Sequence, residues 1–474
     1  MERSRSPAPL VPIVAGYAGL LWVWDFQARP VPFLLLVGGT FAAVGWFYRF
    51  ALSSRSARGG AEIPLSTLLA VAALVRCLLL PVPPSLSDDI YRYLWDGRVT
   101  GAGFDPYRLA PDDPALEPLR DEGWELTAHR EVETVYPPLA IALFSLAAAL
   151  PGEVLVWKGV VALFDLGCCW LLWRLARRTG RPTLRVIWYA WNPLAVIESA
   201  GMGHVDAVGV CALLAAVFWL LPRRGSADAA HDERRALGPA LAGVLAGAGV
   251  LVKLVPLVLL PLYSLRARSA AFAAALAVTV VVGLAPMVLP SQGPPPGLVR
   301  YGVSWEFNGL VFEPLWRTIE RAEVVADVKA TLDAVRVRVP RSDAALGLYP
   351  YVYPQFLAKV VLLVGLGWVV LVGLGVRDPI DATGWTLGGA TLFSATCYPW
   401  YFLWALPFAA LRASPAWLAL SLSLQAAYLP RLLGWGQWPA TWLAVWAPFL
   451  LVAAGSVLRT ARAASARSSA GTSA

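Results

Sequence analysis

Charge is what this chain has least of. Asp, Glu, Lys and Arg make up 15% of its residues, where a soluble globular protein carries about a quarter, so an ordinary water-facing surface is excluded. Lysine is reduced to Lys158, Lys253, Lys329 and Lys359 beside abundant arginine. The five cysteines, Cys77, Cys168, Cys169, Cys211 and Cys397, all sit in or at the edges of apolar segments without CxxC spacing. Neither a disulfide framework nor a zinc cluster is implied. With three histidines (His129, His204 and His231) and no HExxH, a zinc-protease reading loses its ligands. No GxGxxG or Walker-type loop offers a cradle for nucleotide phosphates, and no GxSxG elbow presents a serine nucleophile. No internal repeat of the transporter kind is visible.

What is abundant is apolar sequence. Hydrophobic residues reach 58%, mean hydropathy is +0.60, and apolar segments recur from Leu10 to Leu458. Lipid offers no partner to an open backbone, so these segments are expected to be helices. The fold expected is an all-α polytopic membrane protein of about 12–14 transmembrane helices. The formal charge of +8 could point to nucleic acid, but the cations lie in short loops beside apolar spans, where they set membrane orientation instead. The N-terminus is basic and then apolar without a small-residue cleavage site, and it reads as a retained first helix.

The positive-inside rule yields one arrangement that places nearly every short basic loop in the cytoplasm. Leu10–Trp24 exits, Val31–Phe50 returns to Arg55 and Arg58, and Ile63–Val82 exits into a first outer loop, 83–136. Pro137–Leu150 is too short to span and opens on two prolines, so it is expected to lie in the interface or re-enter. Val154–Trp173 then brings Arg174, Arg177, Arg178, Arg181 and Arg185 to the inside, and Arg223, Arg224, Arg234 and Arg235 follow there. A second outer loop covers 290–354. Both termini are expected in the cytoplasm, and the short outer connections hold only Arg29, Lys253 and Arg431 as cations. The domain organisation expected is a two-helix extension (1–62), a main transmembrane module (63–411), a C-terminal helix pair (412–458) and a disordered tail (459–474).

Although arginines alone define this topology, it gathers the polar motifs at the outer face: SDDIYRYLWDGRVTGAGFDPY (Ser87–Tyr107), VYPPL (Val135–Leu139), NPLAVIESAGMGHVD (Asn192–Asp206), VKLVP (Val252–Pro256), SWEFNGLVF (Ser304–Phe312) and CYPWYFLW (Cys397–Trp404). Ser87 is placed as an N-cap, with Asp88 and Asp89 in the first turn and Gly101 or Gly103 as the stop. Tyr91, Trp95 and Val99 make an amphipathic face that could lie on the lipid surface. The two aspartates either complement the helix dipole and pair with Arg92 or do chemistry, since carboxylates beside a membrane span are costly and usually functional. Lys253 either snorkels or binds an anion. Glu198 could pair with Lys253 or cap His204, Glu306 and Asn308 could pin loop structure or meet a ligand, and the Tyr398, Trp400 and Tyr401 cluster could be an interfacial belt or a ligand wall.

Taken in order, SDDIYRYLWDGRV with G.FDPY, then YPPLA, NPL.VIE with GH.D, VKL.P and YPWYFLWALPF, the chain from about Ile63 to Leu411 resembles bacterial integral-membrane glycosyltransferases of the glycosyltransferase-C superfamily. The mannosyltransferase-like and family 87 groups are the most similar. The resemblance implies a polyprenyl-phosphate sugar donor with a hexose, mannose favoured, and a glycan or lipid acceptor. Transfer would occur at the extracytoplasmic face of a bacterial inner membrane, with inversion at the anomeric carbon. It places the acidic residue of the first outer loop at Asp88 or Asp89, with Asp88 first, as the general base. Lys253, Arg92 and His204 would then bind donor phosphate, and Tyr136, Asp206, Glu198, Asn308, Tyr398, Trp400 and Tyr401 would meet substrate. No cofactor is implied and no metal ligand set is seen, although a divalent metal is not excluded. The helices before Ile63 depart from the simplest pattern of that family. A transporter or lipid-carrier flippase would use the same charges differently, at the bilayer midplane within paired repeats, and a non-catalytic subunit could keep the scaffold alone.

Overall fold

A computed structural model describes residues 8–53, 62–221, 233–290, 293–338 and 347–471. Arg55, Arg58, Arg223, Arg224 and His231 lie outside the described residues. Within them the chain is helical without a strand ladder, and a lone bridge joins Phe307 and Asn308 to Thr396. The helices that position the candidate site are, in chain order, α1 (Val11–Val23), α2 (Pro30–Ser53), α3 (Leu65–Leu79), α4 (Asp89–Gly101), α5 (Pro138–Ala148), α6 (Glu153–Thr179), α7 (Asp206–Leu220), α8 (Glu233–Val252), α9 (Ala270–Val288), α10 (Pro296–Ser304), α11 (Phe312–Arg321), α12 (Pro354–Gly375) and α13 (Trp442–Gly471). Five stretches are long and apolar enough to cross a bilayer: Pro30–Ser53, Glu153–Thr179, Ala270–Val288, Pro354–Gly375 and Gln437–Ala463. Helix α5, 11 residues long, is too short to cross alone. The last helix continues to Gly471, over residues expected to be a disordered tail.

Local sequence explains the ends. Helix α6 starts after Gly152 and stops at Gly180, both left-handed, and the Gly180 amide donates back to the last carbonyls, the usual glycine stop. Many of the others open with proline at the first turn, where its missing N–H costs nothing. Helix α4 begins one residue later than the sequence suggests. Asp88 occupies the N-cap without a side-chain cap bond, and Ser87 Oγ accepts from the Asp89 amide at 3.3 Å.

One large core joins residues of α1, α2, α3, α6 and α7 with the C-terminal segment, so the N-terminal pair is part of the bundle. Tyr17 of α1, for example, donates to the Trp191 carbonyl at 3.0 Å. Inside this core Arg76 meets Asp165 at 2.7 Å, both side chains almost fully buried. Arg76 also donates to the Ala72 and Ala190 carbonyls, while Tyr189 and Ser199 donate to Asp165 at 2.6 and 2.5 Å. Every charge in the group therefore has a partner, the condition on which a buried ion pair is tolerated.

A second core gathers Tyr93, Phe144, Trp157 and Val205 beneath the loop that follows α4. Here α4 lies directly on α5. A Cβ at Gly97 would come within 2.4 Å of the Phe144 backbone, and Ser145 Oγ donates to the Gly97 carbonyl at 2.8 Å. Trp95 and Val99 do not lie on lipid as the amphipathic pattern suggested. They are buried against Leu116, a residue of the loop itself, because the loop folds back and covers that face.

Helix α7 is preceded by a break. The pair Pro193–Gly201 and Asp206–Leu220 is bent by 119°, with a π turn over Ile197–Gly201. Gly203 sits at φ +78, and a Cβ there would lie 2.9 Å from Ile90 Cδ1, so the bend requires glycine. Its backbone is satisfied locally: the His204 amide donates to the Glu198 carbonyl at 2.9 Å, and Trp157 Nε1 to the Gly203 carbonyl at 2.7 Å. Irregular backbone at such depth persists only when neighbours supply these bonds.

Candidate functional site

A cavity of about 270 Å³ opens beside the N-terminus of α4. Asp88, Asp89, Arg92, Tyr136, Tyr398, Trp400 and Tyr401 line it, so residues from three separate motifs meet there. The other expected residues, Lys253, His204, Asp206, Glu198 and Asn308, are not on its walls.

The two aspartates differ in environment. Asp88 is held in a two-point contact by Arg431, at 2.7 and 3.1 Å, and both side chains are more than a third exposed at the rim. The hydrogen bonds that Arg431 donates to the Asp88 carboxylate hold its guanidinium above its ordinary range. Asp89 has a looser surrounding: Tyr93 Oη donates at 3.3 Å and His204 Nε2 stands 3.9 Å away. Arg92 pairs with neither. Its Nε donates to Asp96 at 2.8 Å and its two Nη atoms to the His129 and Val132 carbonyls, so it ties the loop to α4, and little of its donor capacity is left for a phosphate.

A ladder of rings forms one wall. His204 stacks on Trp400 with centroids 3.9 Å apart, Trp400 on Tyr398 at 4.6 Å, and Tyr398 on Phe307 at 4.4 Å. Each such pair contributes about 0.5–1.5 kcal/mol beyond burial, enough to fix the rings as a flat surface. His204 itself is fully buried, with Nδ1 3.1 Å from Glu198 Oε2. Glu198, also fully buried, accepts from Tyr428 Oη at 2.9 and 3.1 Å and from Gln425 Nε2 at 3.3 Å. It therefore caps His204 and does not pair with Lys253.

Lys253 is committed elsewhere. Its Nζ is 2.9 Å from both oxygens of Asp206 and 4.4 Å from the Tyr401 ring centre, while Trp404 Nε1 donates to Asp206 at 2.7 Å. Asp206 neutralises the ammonium that the sequence offered to a phosphate, and the pair braces the Tyr401 wall from behind. Asn308, at φ +55, is a buried loop residue whose carbonyl accepts from Trp446 Nε1 at 2.9 Å. Glu306 is tied to Lys359 at 3.0 Å.

Tyrosines complete the lining. Tyr136 packs edge-on to Tyr93 at 5.0 Å, and the Tyr301 and Tyr401 hydroxyls share a hydrogen bond. Burial, with Asp89 adding to it, pushes the Tyr136 hydroxyl well above its ordinary value. Burial likewise pushes Tyr301 up to about 12. Both remain O–H groups near neutral pH, able to donate to a polar ligand. At the mouth, His129 meets Trp305 at 4.6 Å. Among the described residues no group of three or more His, Cys, Asp or Glu side chains converges to hold a metal ion.

Sequence reasoning missed Arg431, Tyr428, Phe307, Trp305, Tyr301 and His129. For Arg431 a signal existed: an arginine in a connection expected on the outer side runs against the usual charge bias. Trp305 and Phe307 lie in the SWEFNGLVF motif without having been singled out, and Tyr428, Tyr301 and His129 carry no local mark.

The sequence profile described as "Alpha-(1->6)-mannopyranosyltransferase, N-terminal domain" matches residues 10–269. A "Probable alpha-(1->6)-mannopyranosyltransferase" of Mycolicibacterium smegmatis is 26% identical over 373 residues, covering 73% of this chain and 65% of that protein. An alpha-(1->6)-mannopyranosyltransferase of Mycobacterium tuberculosis is 25% identical over 405 residues, covering 71% and 64%. The chain thus spans a little under two thirds of the length of these curated relatives. No solved structure matches it.

Proposed function

The chain belongs to the MptA_B family, described by its profile as alpha-(1->6)-mannopyranosyltransferases, and on that premise we propose that it transfers mannose from a polyprenyl-phosphate carrier to a hydroxyl of a glycan or lipid acceptor at the outer face of a bacterial membrane. The observation that carries this reading is one cavity that holds an acidic pair, a guanidinium and a flat aromatic wall together. Such walls suit a sugar ring, which has an apolar face and polar edges.

The acceptor hydroxyl oxygen bonds to the anomeric carbon from one side as the bond to the phosphate oxygen breaks on the other, and the electron pair leaves with the lipid phosphate. The hydroxyl proton passes to a carboxylate. Asp89 suits this task better than Asp88, because Arg431 occupies both Asp88 oxygens. The order expected from sequence is thereby reversed. Displacement from the opposite face inverts the anomeric centre. Charge growing on the departing phosphate calls for a cation, and Arg431 at the rim supplies it. An exposed ion pair contributes only about 0–1 kcal/mol, so a phosphate can draw Arg431 from Asp88 at little cost. The tyrosine hydroxyls of Tyr136, Tyr301 and Tyr401 orient the sugar.

The purified protein in lipid nanodiscs, given a panel of polyprenyl-phosphate hexoses and a mannoside acceptor, is expected to turn over the mannose donor. Absence of turnover with every donor would overturn the reading. Arg431→Ala is expected to reduce kcat/KM by about 10²-fold, the scale on which loss of one charge-stabilising donor is felt. Arg431→Lys should recover part of the rate, since it keeps the charge but not the two-point fork. Steady-state kinetics with unchanged parameters in Arg431→Ala would remove the phosphate role.

A further inference from the structure

We infer that the buried pair of Glu198 and His204 is a proton store behind Asp89, which lets one carboxylate serve turnover after turnover. The inference deepens the transferase reading and rests on it for the identity of the proton donor.

The observations are geometric. The His204 imidazole is fully buried and sandwiched end to end between two acids, Glu198 Oε2 at 3.1 Å from Nδ1 and Asp89 Oδ2 at 3.9 Å from Nε2. Neither ring nitrogen makes a well-directed hydrogen bond. A buried polar atom without a partner is costly, and its persistence calls for an explanation. Trp400 covers the ring face at 3.9 Å and is itself part of the cavity wall, so the imidazole lies one ring away from the reacting centre yet out of reach of substrate. The groups facing the ring are Asp89 from α4 and Glu198 from its own π turn. The indole of Trp400 carries no charge. Tyr93 stands behind Asp89, Tyr428 and Gln425 stand behind Glu198, and the Asp88–Arg431 pair is the neighbouring charge at the rim.

In each turnover the acceptor proton moves first to Asp89 and then to His204 Nε2, and Glu198 balances the charge that the ring gains. Asp89 is ionised again, and the proton returns to cavity water by the same route once product has left. The 3.9 Å separation must shorten for the second transfer, as catalytic hydrogen bonds commonly do when substrate closes a site. His204 and Glu198 act through Asp89 and are positioning residues; neither touches substrate.

Three histidines in the whole chain make selective 15N-histidine labelling a direct probe of the full protein without substrate. The 15N chemical shifts of the His204 nitrogens, read at one fixed pH, are expected to change in Asp89→Asn at Nε2 and in Glu198→Gln at Nδ1. Unchanged shifts in Asp89→Asn overturn the coupling. In the transfer assay His204→Gln is expected to lower kcat by about tenfold, less than the 10²- to 10⁴-fold of a base itself. The KM for donor should be kept and the acid limb of the pH profile displaced. A wild-type rate and profile in His204→Gln overturns the store. Should His204→Gln not fold, Glu198→Gln is read in the same way. If the wild-type protein transfers no sugar, the transferase reading fails, and the labelling experiment still decides whether the two acids share a proton through the ring.

Discussion

Asp89→Asn is expected to slow sugar transfer by about 10²- to 10⁴-fold, the range over which a positioned proton acceptor contributes. Asparagine keeps the shape and the hydrogen bond from Tyr93, which is 3.3 Å away, but cannot take a proton. The side chain is about a third exposed, so the substitution should leave folding and membrane insertion intact, and size-exclusion profiles should match the wild type. Asp88→Asn is expected to have a smaller effect, acting through Arg431, which loses one of its two charge-assisted contacts. The double variant should be no faster than Asp89→Asn alone. Initial rates of labelled mannose transfer measure all three, and a wild-type rate in Asp89→Asn would discard the base assignment.

The largest loss of stability is expected from Arg76→Met. This substitution leaves the Asp165 carboxylate in the core with Tyr189 and Ser199 as its remaining donors. Stranding a buried charge in this way costs about 3–5 kcal/mol. Removing both charges, in Arg76→Met with Asp165→Leu, should recover much of that loss, because the desolvation cost disappears with the pair. Thermal unfolding of the nanodisc-embedded protein measures the cycle, and equal stability of Arg76→Met and wild type would remove the argument. Activity should fall with stability in the single variant, since Ser199 belongs to the π turn that carries Glu198. Glu198 and the ion pair in the core are joined by that one π turn.

Much of this was legible before any coordinates. The helical membrane class follows from composition. Of the motifs expected to gather at the outer face, Asp88, Asp89, Tyr136, Tyr398 and Trp400 line one cavity. What the sequence could not show was which charges are already spent. Lys253 looks like an anion site until Asp206 appears beside it, 47 positions earlier in the chain. Arg92 looks like a partner for the aspartates until the carbonyls of His129 and Val132 take its fork. Arg431 is 343 positions from Asp88, and no local pattern joins them. The face bearing Trp95 and Val99 has helical periodicity that reads equally as lipid-facing or loop-covered, and only the fold of the loop decides. In each case the residue type was visible and its counter-group was not.

The link between Asp88 and Arg431, with Tyr428 on Glu198, has a consequence for how the molecule is made. Helix α4 emerges early in synthesis, while its counter-ion and the phenol that anchors the buried acid arrive only with the C-terminal helices. A nascent chain still attached to the ribosome therefore carries its acidic pair without the arginine that pairs with it. The contact between Asp88 and Arg431 forms only once the segment Leu429–Leu433 has been made and has packed against α4.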